Sequence, residues 1–188
     1  MTDLSWEERW AQKRGDAFPD PDPCLLKQID FLTDGTALDL ACGRGRNSLL
    51  LAQAGYQVLA VDSSPTALEL LTSTAEKRKL SITPILHDLT LGLPELPESV
   101  NLILSAYYLQ RELVPAIKKN IRPGGLFIGR SFCQDSASNP SSAIIYNPGE
   151  LQDLFSDWEI LSQEEGVEKS RRGGTLSGIV ARKPIHTN

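Results

Sequence analysis

The sequence predicts an α/β fold. Its centre is a mostly parallel sheet of seven strands between two layers of helices, three layers in all, closed at one edge by an antiparallel hairpin. Three observations predict this. Short apolar runs of strand length alternate with amphipathic helical stretches from residue 36 to about residue 128, as in a parallel sheet covered on both faces. The first run breaks sharply into a turn rich in glycine and then a helix. The last third holds two strand-like runs with no helix between them, which pair most simply as an edge hairpin.

Each element has its own signal. The leader carries spaced tryptophans, Trp6 and Trp10, then alternating prolines from Pro19 to Pro23 that force an extended connector. Leu25, Leu26, Ile29, Phe31 and Leu32 suggest a short helix. Ala37 to Leu40 is the first strand. Asn47 to Ala54 is a helix closed by Gly55. Gln57 to Val61 is a second strand ending at Asp62. Ser64-Pro65 reads as cap and first residue of a helix with Ala67, Leu68, Leu71 and Ala75 on one side. Ile82 to Leu86, Val100 to Leu104 and Leu126 to Ile128 are strands three to five, with a helix over Leu109, Leu113, Ala116 and Ile117 before the Pro123-Gly124-Gly125 stop. Asn147-Pro148-Gly149-Glu150 resembles a capping box opening a short helix. The hairpin strands lie near Trp158 to Ser162 and Leu176 to Ala181. Residues 1–35 thus form a leader and helix covering the site, and residues 36–188 the body of one domain.

Composition narrows the function. A chain of 188 residues with 40% hydrophobic and 23% charged residues is a globular chain with room for one core. Its net charge of −5 argues against a nucleic-acid partner held by phosphates. Cys24, Cys42 and Cys133 form no CxxC pair, so neither a metal cluster nor a disulfide framework is expected. No run approaches the roughly 20 apolar residues of a membrane span, and the N-terminus lacks the apolar core of a secretion signal. The expectation is a cytoplasmic monomer or homodimer acting on a small molecule, with no membrane partner.

The chemistry concentrates in Asp39-Leu40-Ala41-Cys42-Gly43-Arg44-Gly45-Arg46-Asn47. Gly43 and Gly45 stand where a strand turns into a helix, and their missing side chains let a ligand approach the backbone. A dinucleotide site wants a third glycine or alanine where this chain has Ser48. Asp39 beside the turn would repel a pyrophosphate but suits the cationic amino and sulfonium groups of S-adenosylmethionine. Asp62, ending the second strand, offers two oxygens to the two hydroxyls of a ribose; its other reading is a favourable charge at the next helix start. Asp88 is placed to accept from an adenine amino group, with Leu89 packing the ring, or is a solvated loop carboxylate. His87 has no partner acid in sequence and reads as structural. Ser105 to Tyr108 closes the fourth strand, where open α/β sheets bind ligands. Tyr107 there, with Arg130 after the fifth strand and Arg171 in the hairpin loop, could meet the acceptor or an anionic group on it.

With those residues in hand, the chain resembles class I S-adenosylmethionine-dependent methyltransferases, and within them the tellurite-resistance group. LDLACGRGRNSLLLAQAGYQVLAVD resembles that group's cofactor loop, first helix and second strand; NLILSAYYLQ, IKKNIRPGGLFI and NPGELQDLFSDWEIL resemble later segments. SWEERW is similar to the thiopurine methyltransferases, whose paired tryptophans lie over the cofactor. The resemblance implies a Rossmann-like fold with S-adenosyl-L-methionine as cofactor. It implies cofactor contacts at Asp39, Gly43, Gly45, Asp62, Asp88, Leu89 and Ser105, with Trp10 and Arg14; Ala41, Asn47 and Ser63 lie within the same loops and are expected to join them. The tellurite group carries a His-Arg pair between its last strands. This chain has Glu168-Lys169-Ser170-Arg171-Arg172, so the arginine has a counterpart and the histidine has none.

Methyl transfer from a sulfonium is an in-line displacement, in which the protein chiefly aligns nucleophile, methyl and sulfur. The expected acceptor is small and soft or anionic: a thiol, a chalcogen oxyanion or a small metabolite. Two alternatives stay open. One is a protein that binds S-adenosylmethionine or S-adenosylhomocysteine without turnover, and the other an NAD-dependent oxidoreductase on the same architecture.

Overall fold

A computed structural model describes residues 5–12, 20–29, 32, 34–133, 145–169 and 175–185. The chain divides into two compact units between Pro94 and Glu95. Among the described residues no helix is long and apolar enough to cross a membrane.

The first unit holds α1 (Trp6–Gln12), α2 (Pro23–Leu26), β1 (Gly35–Leu40), α3 (Arg46–Gln53), β2 (Tyr56–Asp62), α4 (Pro65–Arg78) and β3 (Ile82–Leu86). Its strands lie in the order β3-β2-β1, all parallel, with Asp39 opposite Ala60 and Asp62 opposite Leu86. Parallel pairing brings the carboxyl ends of β1 and β2 side by side, so the loops that follow them are neighbours. Ala37 to Leu40 is buried throughout, as a strand with both faces covered should be. Helix α4 starts as expected: the Ser64 hydroxyl accepts from the Ala67 N–H at 3.1 Å, and Pro65 supplies the first turn. Helix α2 starts on an unforeseen cap, where Asp22 accepts from the Cys24 N–H. It ends at Leu26, short of the expected helix through Ile29 and Leu32; Phe31 lies outside the described residues.

The second unit holds β4 (Val100–Ala106), α5 (Val114–Asn120), β5 (Ile121–Cys133), β6 (Ile145–Tyr146), α6 (Glu150–Leu154), β7 (Glu159–Lys169) and β8 (Thr175–Arg182). The order is β4-β5-β8-β7, parallel from β4 to β5 and antiparallel thereafter, so β7 and β8 form the expected hairpin. Strand β6 pairs in parallel with β5 and raises the count among the described residues to eight, one more than expected. Its two residues are too few to leave a periodic signal.

Two local expectations are corrected here. Strand β5 begins at Ile121 rather than Leu126, because Val100 pairs with Ile121 across a register shift that accommodates the Pro123-Gly124-Gly125 turn. Gly125 has no room for a side chain: a Cβ would stand 2.8 Å from the Asn101 carbonyl oxygen. The capping box is half made. Glu150 reaches back to the Asn147 N–H at 2.9 Å, but the Asn147 side chain donates to Glu150, and left-handed Gly149 takes the cap position. Beneath α6, Phe155 stacks on Phe127 with centroids 4.4 Å apart and meets Trp158 edge-on at 5.5 Å, forming this unit's aromatic core.

Candidate cofactor site

The site in the first unit is built from the turn between β1 and α3. Three of its five residues are left-handed: Ala41 (φ 53°), Gly43 (φ 55°) and Gly45 (φ 79°). Alanine rarely holds this conformation, so Ala41 marks a backbone constrained by its surroundings. The Cys42 N–H donates to the Val61 carbonyl at 2.9 Å, tying the loop to β2, and the Gly45 N–H donates back to Cys42. Each glycine has a separate steric reason. A Cβ on Gly45 would stand 2.2 Å from Leu71 Cδ1 on α4, and one on Gly43 would stand 2.8 Å from Cζ2 of Trp10. Trp10 therefore lies directly on Gly43.

Asp39 is only 1% exposed and accepts a 2.5 Å hydrogen bond from the Ser48 hydroxyl. Burial pushes its carboxyl up to about 7, against the lowering effects of Ser48 and the more distant Arg46. Ser48 thus supports the carboxylate from the position where a dinucleotide enzyme would carry glycine or alanine. Sequence reading noted the residue but missed its role, although its spacing of nine from Asp39 across a strand-turn-helix was the available signal.

Asp62 bridges two loops: one oxygen accepts from the Gly43 N–H at 2.7 Å, the other from the Ser64 N–H at 2.9 Å. Burial raises its carboxyl above the ordinary range, only partly opposed by these backbone donors. The Ser63 N–H adds a third backbone donor, so three donors aim the carboxylate without filling all of its roughly four lone-pair sites. Ser63 beside it is exposed.

The other expected residues separate into groups. The Asn47 side chain accepts from the Asp22 N–H at 2.8 Å and so anchors the start of α2. Asp88 is exposed, and its Oδ1 accepts from the Thr90 N–H and hydroxyl at 2.9 and 2.8 Å, which hold its carboxyl below the usual range. Leu89 is buried under that turn. His87 keeps to structure: its N–H donates to the Asp62 carbonyl, and Nε2 lies 3.0 Å from the Gly92 carbonyl. In the second unit, the Ser105 hydroxyl donates to the Tyr108 carbonyl. Tyr107 is left-handed (φ 67°); its N–H donates to the Arg130 carbonyl at 2.6 Å and its ring meets Phe132 at 5.7 Å. Arg130 is 1% exposed. Arg14 and Arg171 lie outside the described residues.

Sequence reading also missed Glu7. Its carboxylate accepts from the hydroxyls of both Ser64 and Thr66 at the start of α4. The signal was present as Trp6-Glu7-x-x-Trp10, with Glu7 and Trp10 three apart and hence neighbours on one helix face.

Comparison with known proteins places this chain in a family. The model of the tellurite resistance protein TehB matches residues 23–176 of the chain, which include the whole β1–α3 turn, Asp62 and β7, and end at the start of β8. The chain belongs to the TehB family. It is 32% identical over 139 residues to a protein of Haemophilus influenzae (strain ATCC 51907 / DSM 11121 / KW20 / Rd) named "Probable S-adenosyl-L-methionine-dependent methyltransferase TehB", covering 69% of this chain and 48% of that one. It is also 32% identical over 152 residues to "Hemagglutinin 1" of Eikenella corrodens, covering 76% and 50%. The chain spans about half the length of these curated relatives. Among solved structures it resembles TehB from Haemophilus influenzae with a TM-score of 0.75 and 24% identity, over 95% of this chain and 67% of that one. It resembles a coclaurine N-methyltransferase bound to N-methylheliamine and S-adenosylhomocysteine with a TM-score of 0.66 and 16% identity, over 90% and 75%. These likenesses show the Rossmann-like α/β fold, a mixed sheet that is mostly parallel with antiparallel strands at its edge.

Proposed function

We propose that this TehB-family chain is an S-adenosylmethionine-dependent methyltransferase that passes the methyl group in line to a small soft or anionic acceptor. The observation that carries this reading is the pairing of two buried carboxylates with a left-handed glycine turn. Burial raises the cost of ionising both Asp39 and Asp62, and the Asp62 charge adds to that cost at Asp39, so the cradle disfavours a phosphate and gains from a cation. A positively charged nucleoside fits this donor set. Asp39 and the turn from Ala41 to Gly45 would hold its charged end, and Asp62 its ribose hydroxyls. When bound, the sulfonium supplies the electrophilic methyl group and the leaving thioether. The chain's own work is to fix that group, exclude water and orient the acceptor. Asn47, Ser63, Asp88, Leu89, Ser105, Trp10 and Arg14 remain proposed further contacts, and Tyr107, Arg130 and Arg171 remain proposed for the acceptor. Tyr107 has the best structural support of the three, since a strained backbone at a strand's carboxyl end is a common mark of a working residue.

The test is calorimetry with S-adenosylhomocysteine, S-adenosylmethionine and NADH in parallel. A screen of thiols, selenite, tellurite and small carboxylates would follow, read as S-adenosylhomocysteine released. Binding of both sulfur nucleosides with turnover on at least one acceptor is expected. Tight binding of NADH alone would overturn the reading.

A further inference from the structure

Helix α1 is held in an unusual way. It has seven residues, too few for a helix to persist in water without support, and none of its residues is buried. No fully buried side chain therefore anchors it. Two side chains one turn apart on the same face do reach the rest of the first unit: Glu7 to the hydroxyls of Ser64 and Thr66, and Trp10 to Gly43.

These contacts close a ring. Glu7 accepts from the Ser64 hydroxyl; the Ser64 N–H donates to Asp62; the other Asp62 oxygen accepts from the Gly43 N–H; and Gly43 lies against Trp10, back on α1. Every member outside α1 belongs to, or borders, the two loops that make the cradle. Glu7 also sits at the first turn of a 14-residue helix, where a negative charge is favoured. Its bonds to Ser64 and Thr66, in that order of effect, hold its carboxyl below the ordinary range, so it stays charged through neutral pH.

We propose that Glu7 is a positioning residue for the cofactor: by gripping Ser64 and Thr66 it latches α1 in place and so keeps Trp10 as a roof on the Gly43 side of the cradle. The inference rests on the reading of that cradle as a sulfonium-nucleoside site. It assigns Glu7 no contact with the reacting atoms. Loss of the latch leaves the binding loops intact and frees the roof, so release should quicken while capture changes little.

The experiment uses the full chain and S-adenosylhomocysteine as probe. Dissociation and association rates are measured by stopped-flow tryptophan fluorescence for the wild type, Glu7→Ala, Glu7→Gln, Thr66→Val and the Glu7→Ala/Thr66→Val double variant, with melting temperature as a control. Glu7→Ala is expected to raise the dissociation rate about tenfold with an association rate within about twofold, and with little change in melting temperature. Glu7→Gln should fall between Glu7→Ala and wild type, because its amide oxygen still accepts from one hydroxyl. The double variant should release the probe no faster than Glu7→Ala, since both changes cut the same contact. A wild-type dissociation rate in Glu7→Ala, or multiplying effects in the double variant, would overturn the latch. Failure of the wild type to bind the probe would instead sink the cradle reading, and the role of Glu7 with it.

Discussion

Replacing Asp39 with asparagine should reverse the usual expectation that removing a buried hydrogen-bonded acid weakens a fold, and should do so only above mid-acidic pH. Asp39 is fully buried and its carboxyl stands near 7, against an ordinary 3.8. Between those values the folded chain binds more protons at this site than the unfolded chain. Stability contributed by this group is thus present at low pH and lost as pH rises from about 4 to about 7. The gap corresponds to about 4 kcal/mol at most, at about 1.4 kcal/mol per pH unit. Asparagine keeps an oxygen for the Ser48 hydroxyl and carries no charge at any pH. The assay is urea unfolding of both proteins at pH 5, 6, 7 and 8, reading the difference in unfolding free energy so that all other titrating groups cancel. The asparagine variant should gain on the wild type by about 1 kcal/mol per unit from pH 5 to near 7 and then level off. A difference that stays flat from pH 5 to 8 would refute the claim that burial holds this carboxyl high. On the proposed reading of the cradle as a sulfonium site, the variant should also lose S-adenosylmethionine affinity, a trade of stability for function.

Further predictions follow from the same geometry. If the sulfonium cofactor needs ionised Asp39, its affinity should fall about tenfold from pH 8 to pH 6, where one molecule in about ten has the charge; calorimetry in buffers of different ionisation enthalpy should detect a proton released at pH 6. Gly45→Ala combines a left-handed backbone with a Cβ driven into the buried Leu71, and should cost about 2–5 kcal/mol in urea unfolding. Gly43→Ala should instead push Trp10 away, read as increased acrylamide quenching of Trp10 in a Trp6→Phe background. Phe155→Ala removes the ring between Phe127 and Trp158 and should cost about 3–5 kcal/mol, seen as a lowered urea midpoint.

Much of the fold was legible because its signals are local. Ser64-Pro65 declares a helix start whatever surrounds it, since the serine caps its own next turn and proline's fixed φ suits the first position. The strand runs before Asp39 and Asp62 declare themselves by apolar length, and the order of elements identifies a parallel sheet. Strand β6 was not legible, because two residues have no period, and β5 was read short because its pairing across the Pro123-Gly124-Gly125 turn depends on Val100 in another strand.

At the candidate site the division is the same. From its residues alone the chain determined that a glycine turn flanked by acids follows the first strand, and that a carboxylate ends the second. Only the tertiary structure decided how those acids are held. Ser48 reaches Asp39, Asp62 reaches Gly43 nineteen residues away, Asn47 is taken up by Asp22, and Glu7 grips Ser64 and Thr66 across more than fifty residues. Periodicity and caps act within a few residues and leave a mark in sequence. Hydrogen bonds between distant segments do not, because any of several polar side chains could supply the donor, and the packing of helices and strands selects which one arrives.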